Sequence, residues 1–338
     1  MFKIDIHTHI LPENLNEVTN SFSDPRFLRI ELIDDQSAML KKDGRAFRKV
    51  DCNCWKHQKR IQECDTTKVD VQVLSTIPAL FSYWAKNDEC LTLSQFINDH
   101  IAKICRDEPH RFIGLGTIPM QNTELAISEM DRCINELNFP GIEIGSNVNG
   151  ENLSNEKFHP IFNHAEKLSC AIFIHPWEMM GQADMQKYWL PWLVGMPAEI
   201  SRAVCSIIFG GILERYPNLK IAFAHGGGAF PFTIGRIDHG YKMRPDLCAR
   251  DNNKLPSYYL KHFYVDSLVH DEMAMSFLLD KMGPEQIALG SDYPFPLGEI
   301  HPGKLIEKME LSDSIKKRML AGTALEWLGL NESEYIRN

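Results

Sequence analysis

The stretch IDIHTHILP, residues 4–12, decides both the fold and the chemistry of this chain. Alternation along a strand sends residues i and i+2 to the same face, so His7 and His9 point the same way at the end of an apolar run. Two imidazoles so placed are either a packing coincidence or half of a metal site. Further short, apolar, β-rich runs follow at intervals. They are VDVQVLST (69–76), FIGLGTIP (112–119), GIEIGS (141–146), AIFIHP (171–176), KIAFAHG (220–226), FYVDSL (263–268) and IALGSDYP (287–294). Helical patterns fill most of the gaps. NTELAISEMDRCINEL (122–137) puts Leu125, Ile127, Met130, Ile134 and Leu137 largely on one stripe; LTLSQFINDHIAKIC (91–105) and EISRAVCSIIFGGILERY (199–216) read the same way. Strands alternating with helices predict an α/β protein with a parallel sheet covered on its outer side. Counting the first stretch there are eight strands, which favours a closed (β/α)8 TIM barrel over an open sheet.

The chain has 338 residues, 44% of them hydrophobic, enough for one large barrel. No repeat, low-complexity tract or Pro/Ser-rich linker divides it, so residues 1–338 read as a single domain. Residues 13–58 are too many for an ordinary βα connection. Within them RIELID and AFRKVD flank KKDGR, whose Asp43-Gly44 is a hairpin signal, so a small β insertion is expected over the barrel mouth. The net charge of −9 with no basic block argues against nucleic acid or an anionic membrane surface as partner. No signal pattern is expected at the start of the sequence, and no apolar run is expected to reach membrane-spanning length. The nine cysteines are scattered, with only Cys52 and Cys54 close together. They suggest reduced packing thiols in a cytoplasmic protein.

Catalytic groups of such barrels come from the C-terminal ends of the strands. Strand one ends in His7 and His9, strand five in His175, strand six in His225 and strand eight in Asp292. All five are nitrogen or oxygen ligand types. Three imidazoles and a carboxylate, with room for water, suit a catalytic Zn²⁺ or another borderline divalent ion. The remaining histidines share no rim and read as surface or packing residues. Two arginines are candidates for gripping a carboxylate with the guanidinium fork: Arg48, beside Phe47 on the insertion, and Arg236, on the helix after strand six. Lys42, in the hairpin turn, is a weaker candidate for the same anionic pocket. Gly226 to Gly228 lacks the lysine and hydroxyl residue of a phosphate loop, and reads as a turn letting backbone pass close to the metal pocket.

HTHILP, DGRAFRKV, FSYWAK, RFIGLGTIPMQ, YWLPWLVGMPAE, FAHGGGAFPF, GRIDHG, MRPDLCA and GSDYPFPLGE together resemble the amidohydrolase superfamily, from residue 2 to about 330. The match is closer to its metal-dependent decarboxylases of tryptophan–kynurenine catabolism. The resemblance implies His7, His9, His175 and Asp292 as metal ligands and His225 as the acid/base. It implies that Arg48 and Arg236 bind the substrate carboxylate, Arg236 from the neighbouring subunit of a homodimer. Trp192 and Phe295 would line the pocket. The implied reaction is non-oxidative: hydroxide adds to an enamine double bond, CO2 leaves, and hydroxide is expelled, drawing material away from quinolinate and NAD. Two-metal members carry a bridging lysine or carboxylate at strand four. GIEIGSN offers only Glu143, so one ion per subunit is expected. A hydrolase or a different aromatic-acid decarboxylase on the same metal scaffold is the alternative, and a non-catalytic metal-binding protein is a third.

Overall fold

In the computed structural model, which describes residues 1–335, the opening stretch forms β1 (Ile4–Ile10), buried along its whole length. The insertion supplies β2 (Arg29–Asp34), β3 (Ser37–Lys42) and β4 (Arg45–Asp51). Next come β5 (Val71–Thr76), β6 (Phe112–Thr117) and β7 (Gly141–Gly145). A two-stranded ribbon, β8 (Asn147–Val148) and β9 (Glu151–Asn152), precedes β10 (Ala171–His175), β11 (Lys220–Phe223), β12 (Tyr264–Asp266) and β13 (Ile287–Ala288). Eight of these pair in parallel in the order β1-β5-β6-β7-β10-β11-β12-β13. The two edges then meet: Ile6 N–H donates to Leu289 O and His9 N–H to Tyr293 O, both at 2.8 Å. The expected eight-stranded barrel is therefore what the chain builds.

Packing explains its composition. Strands covered on both faces carry almost unbroken apolar runs, and Ile172, Phe173, Ile174, Ile221 and Phe223 are all fully buried. Where a helix must come close, the strand gives up its side chain: a Cβ on Gly116 would sit 2.4 Å from Cys133 Sγ of the helix Thr123–Asn135.

Several sequence readings are corrected by geometry. Strands six to eight stop earlier than their apolar runs, because the chain turns where the rim begins. His225 stands two residues past β11 and Asp292 four past β13, with φ of +56° and +57°. The run 199–216 is not one helix; Met196–Phe209 ends at Gly210, and a new turn, Ile212–Arg215, starts after Gly211 at φ +67°. A Cβ on Gly211 would lie 2.1 Å from the Asp251 carbonyl, so only glycine fits that break. The run Pro191–Phe209 also contradicts the expectation about membrane-spanning length: its 19 residues, mean hydropathy 1.3, would suffice by length and composition. That apolar content instead serves the barrel, where Ile200, Ala203, Val204, Ile207 and Ile208 join the main core.

The insertion is a three-stranded antiparallel sheet, β2-β3-β4. Asp43 and Gly44 join β3 to β4 as a two-residue turn with both φ positive, +54° and +69°, and Lys42 opposite Arg45. That turn matches strand twist. The middle strand, SAMLKK, escaped the sequence reading because only Ala38 and Leu40 face inward. They pack with Phe27, Leu28, Ile30 and Val50 in a second core against Ile77 and Leu80.

Candidate metal centre

β1 delivers His7 and His9, β10 ends in His175, and the turns after β11 and β13 place His225 and Asp292 opposite them. The donor atoms of His7, His175, His225 and Asp292 all lie within 4.8 Å of one another. His9 joins the same cluster from the side: its Nε2 is 3.2 Å from His7 Nε2 and 3.1 Å from Asp292 Oδ1. All five residues expected at the rim are thus brought together.

The ring nitrogens facing away from the centre show which ones are free to bind. His7 Nδ1 meets Asp266 Oδ2 at 2.6 Å, His9 Nδ1 meets Thr76 O at 2.8 Å, and His175 Nδ1 meets Pro176 O at 3.0 Å. Each of these oxygens accepts, so each Nδ1 carries the proton and each Nε2 presents a lone pair. The lone pairs of His7 and His9 then face one another and a carboxylate, while the buried His175 Nε2 has no hydrogen-bond partner among the described residues. Acceptors crowded against acceptors need a cation between them. This fits a divalent ion held by three imidazoles and a carboxylate. His225 differs: among the described residues its buried Nδ1 has no partner, and it is held through its backbone, the N–H donating to Asp266 Oδ2 at 2.8 Å and the carbonyl accepting from Gly228 N–H at 2.8 Å.

Titration shows how strongly these groups act on one another. Burial would raise the Asp292 carboxyl, but the imidazole of His9 against it and the other neighbouring imidazoles overcome it and hold it at about 2. Burial would lower His9, but Asp292 and Glu143 outweigh it and raise it. Burial, reinforced by neighbouring rings, takes His175 well below the ordinary imidazole range and His225 down to about 4. Glu143 lies beneath the centre, where burial pushes it up to about 8. It accepts from Ser75 Oγ at 3.2 Å and stands 3.8 Å from His9 Nδ1, on the side away from the crowded Nε2 atoms.

Above the cluster opens a cavity of about 580 Å³ lined by His9, His175 and Asp292 together with Lys42, Arg48, Trp192 and Phe295. Four substrate candidates therefore reach one space. The Arg48 guanidinium lies 4.8 Å from the Phe295 ring centre and 5.6 Å from that of Trp192; Lys42 Nζ lies 5.3 Å from that of Trp177. Arg48 is pushed below its ordinary value by burial, and neither cation forms an ion pair among the described residues. Arg236 is not brought in: it stands exposed on the helix Phe230–Met243, away from this cavity.

Sequence reasoning missed Asp266. This fully buried carboxylate closes β12 and accepts from His7 Nδ1, from the N–H groups of His225 and Gly226 (2.8 Å each) and from Leu268 N–H (3.0 Å). A signal existed, since FYVDSL ends strand seven in an aspartate as strand eight's run leads to Asp292. Trp177, which carries no distinguishing pattern, also lines the cavity.

The family model described as Amidohydrolase matches residues 4–330. The 2-amino-3-carboxymuconate-6-semialdehyde decarboxylase of Dictyostelium discoideum is 54% identical over 335 residues, 99% of this chain and 93% of that protein. The protein of the same name from Caenorhabditis elegans is 35% identical over 382 aligned positions, covering 98% of this chain and 95% of its own. A crystal structure of 5-carboxyvanillate decarboxylase from Novosphingobium aromaticivorans, complexed with manganese and 4-hydroxy-3-methoxy-5-nitrobenzoic acid, matches with a TM-score of 0.79. Its identity is 25%, with 97% of this chain and 96% of that one covered.

Proposed function

The chain belongs to the amidohydrolase family, and from that premise we propose that it is a metal-dependent decarboxylase. It converts 2-amino-3-carboxymuconate 6-semialdehyde to 2-aminomuconate 6-semialdehyde and CO2, and so limits quinolinate formation. The observation that carries this reading is the convergence of five rim residues beneath two unpaired cations, in a chain 54% identical to a decarboxylase of that name.

His7, His9, His175 and Asp292 would hold the ion, because the three imidazoles are locked with Nε2 free. His225, tied only by its backbone, is left to move protons. Zn²⁺ suits this nitrogen-rich set; Mn²⁺ is the alternative suggested by the carboxyvanillate enzyme. The ion, when bound, lowers the pKa of water and polarises what adds to it. Arg48 grips a carboxylate while Trp192 and Phe295 flank the conjugated chain, and Lys42 offers a second positive charge at the mouth. His225, neutral at physiological pH, takes the proton of the water that adds at C2 and returns it to C3. Loss of CO2 from C3 re-forms the double bond as hydroxide leaves C2.

Arg236 reaches the substrate from a second copy of the chain. Its exposure, and the exposed Phe232 of the same helix, support a homodimer in which that face is covered. The segment 13–58 serves the single domain as its substrate-binding insertion. Nine free cysteines suit a reducing cytoplasm.

The test is a substrate panel with chelation. Aminocarboxymuconate semialdehyde should lose its absorbance and release CO2, γ-resorcylate and simple lactones should not turn over, and chelator should stop the reaction. Turnover of γ-resorcylate or a lactone instead would overturn the assignment.

A further inference from the structure

The helix His57–Thr67, which follows the insertion, carries a side chain that the mechanism does not use. Arg60 is fully buried, yet among the described residues no carboxylate pairs with it. An interior guanidinium is costly unless its donors are met, so the groups that meet them are informative. Its Nη1 donates to the carbonyl of His9 at 2.6 Å and to that of Asn53 at 3.2 Å, and its Nε donates to Gln72 Oε1 at 3.1 Å. The guanidinium also lies 4.7 Å from the ring centre of Tyr293, whose own carbonyl accepts from His9 N–H. Three parts of the centre therefore meet on one cation: the backbone of His9, the chain leaving the Arg48-bearing β4, and the residue after Asp292. Gln72 adds the neighbouring strand, β5.

We propose that Arg60 is a positioning residue for the metal centre, fixing His9 against Asp292 and seating the Arg48 sheet through two backbone carbonyls and the Tyr293 ring. This rests on His9 and Asp292 being ligands, as argued above. The geometry needs a planar fork. Nη1 meets carbonyls from two segments, Nε in the same plane meets Gln72 Oε1, and the guanidinium lies against an aromatic ring, a combination that a single ammonium cannot reproduce. Arg60→Lys preserves charge and stem but loses the plane; Arg60→Met loses the donors altogether.

Both variants would be stripped with chelator and titrated with Mn²⁺ and, separately, with Zn²⁺, beside wild type, and the Tm of each metal-free protein recorded. Affinity is expected to fall on the order of 10-fold in Arg60→Lys and up to about 100-fold in Arg60→Met, the range seen when groups that orient metal ligands are removed. The metal-free Tm of Arg60→Lys should stay near wild type. With metal saturating, KM should rise more than kcat falls, because the Arg48 seat shifts. Wild-type affinity for both ions in Arg60→Lys would overturn the proposal, as would a lowered Tm with unchanged affinity. Should Arg60→Met fail to fold, Arg60→Lys decides alone. The titrations need no substrate, so they stand apart from the choice of substrate.

Discussion

The floor and the mouth of the cavity are built by opposite rules. On the floor, His7, His9 and His175 each have the outward ring nitrogen held by an oxygen, and Asp266 alone accepts four hydrogen bonds. At the mouth, Arg48 and Lys42 lie over aromatic rings and, among the described residues, keep their side-chain donors unspent. The floor is preorganised by the protein, as a centre that must hold an ion in one geometry requires. The mouth keeps its charges for a partner that arrives with carboxylates of its own. Mutations on the floor should therefore change metal and rate, and mutations at the mouth should change substrate binding.

The largest effect separates two floor imidazoles. His175→Ala should lose bound metal and turnover together. His225→Ala should retain the metal and lose turnover by about 10²–10⁴-fold, the usual contribution of a positioned acid/base. Metal analysis beside CO2 release distinguishes them, and metal loss in both would make His225 a ligand. Next comes Asp266→Asn, expected to weaken metal binding by about 10–100-fold through the freed His7 ring; equilibrium titration measures it. At the mouth, Arg48→Ala should lower kcat/KM by about 10–100-fold, the cost of one charge-assisted bond, mainly through KM and with metal content unchanged. If Arg236 acts across a homodimer, mixing the impaired Arg48→Ala and Arg236→Ala proteins should restore part of the activity lost at low substrate. No recovery after verified subunit exchange would count against a shared site.

The smallest effect concerns Glu143, whose carboxyl keeps its proton to about pH 8 in the fold against an ordinary value of 4.5. Between those values the folded protein binds the proton and the unfolded chain does not. This part of the stability is present below pH 4.5 and is lost as pH rises through about 8. Glu143→Gln should leave activity within about 3-fold and remove that part of the alkaline decline in metal-free Tm. A large loss of bound metal would instead make Glu143 a ligand.

How far the sequence foretold this follows from what each feature needs. The barrel was legible because covered strands must be apolar throughout and the gaps show helical periodicity. The rim histidines were legible because strand ends are fixed points of that architecture. The exact ends were not: His225 and Asp292 sit on left-handed turns beyond short strands, and no local pattern announces them. Asp43-Gly44 betrayed its hairpin, whereas SAMLKK, with two inward residues, was too weakly patterned to stand out as a strand. Arg60 was invisible because a lone arginine on a helix reads as solvated until its distant carbonyls are seen. Arg236 lies outside the cavity of its own chain, and the role proposed for it requires a second copy.

The central claim is that one divalent ion, gripped by the locked imidazoles of the floor, is needed for decarboxylation. Stripping the enzyme and adding ion back in measured equivalents, with bound metal and CO2 release followed together, tests it most directly. Activity should be absent in the stripped enzyme, rise in step with bound metal, and level off at one ion per chain. Full speed without metal, or a plateau that needs two ions, would contradict it.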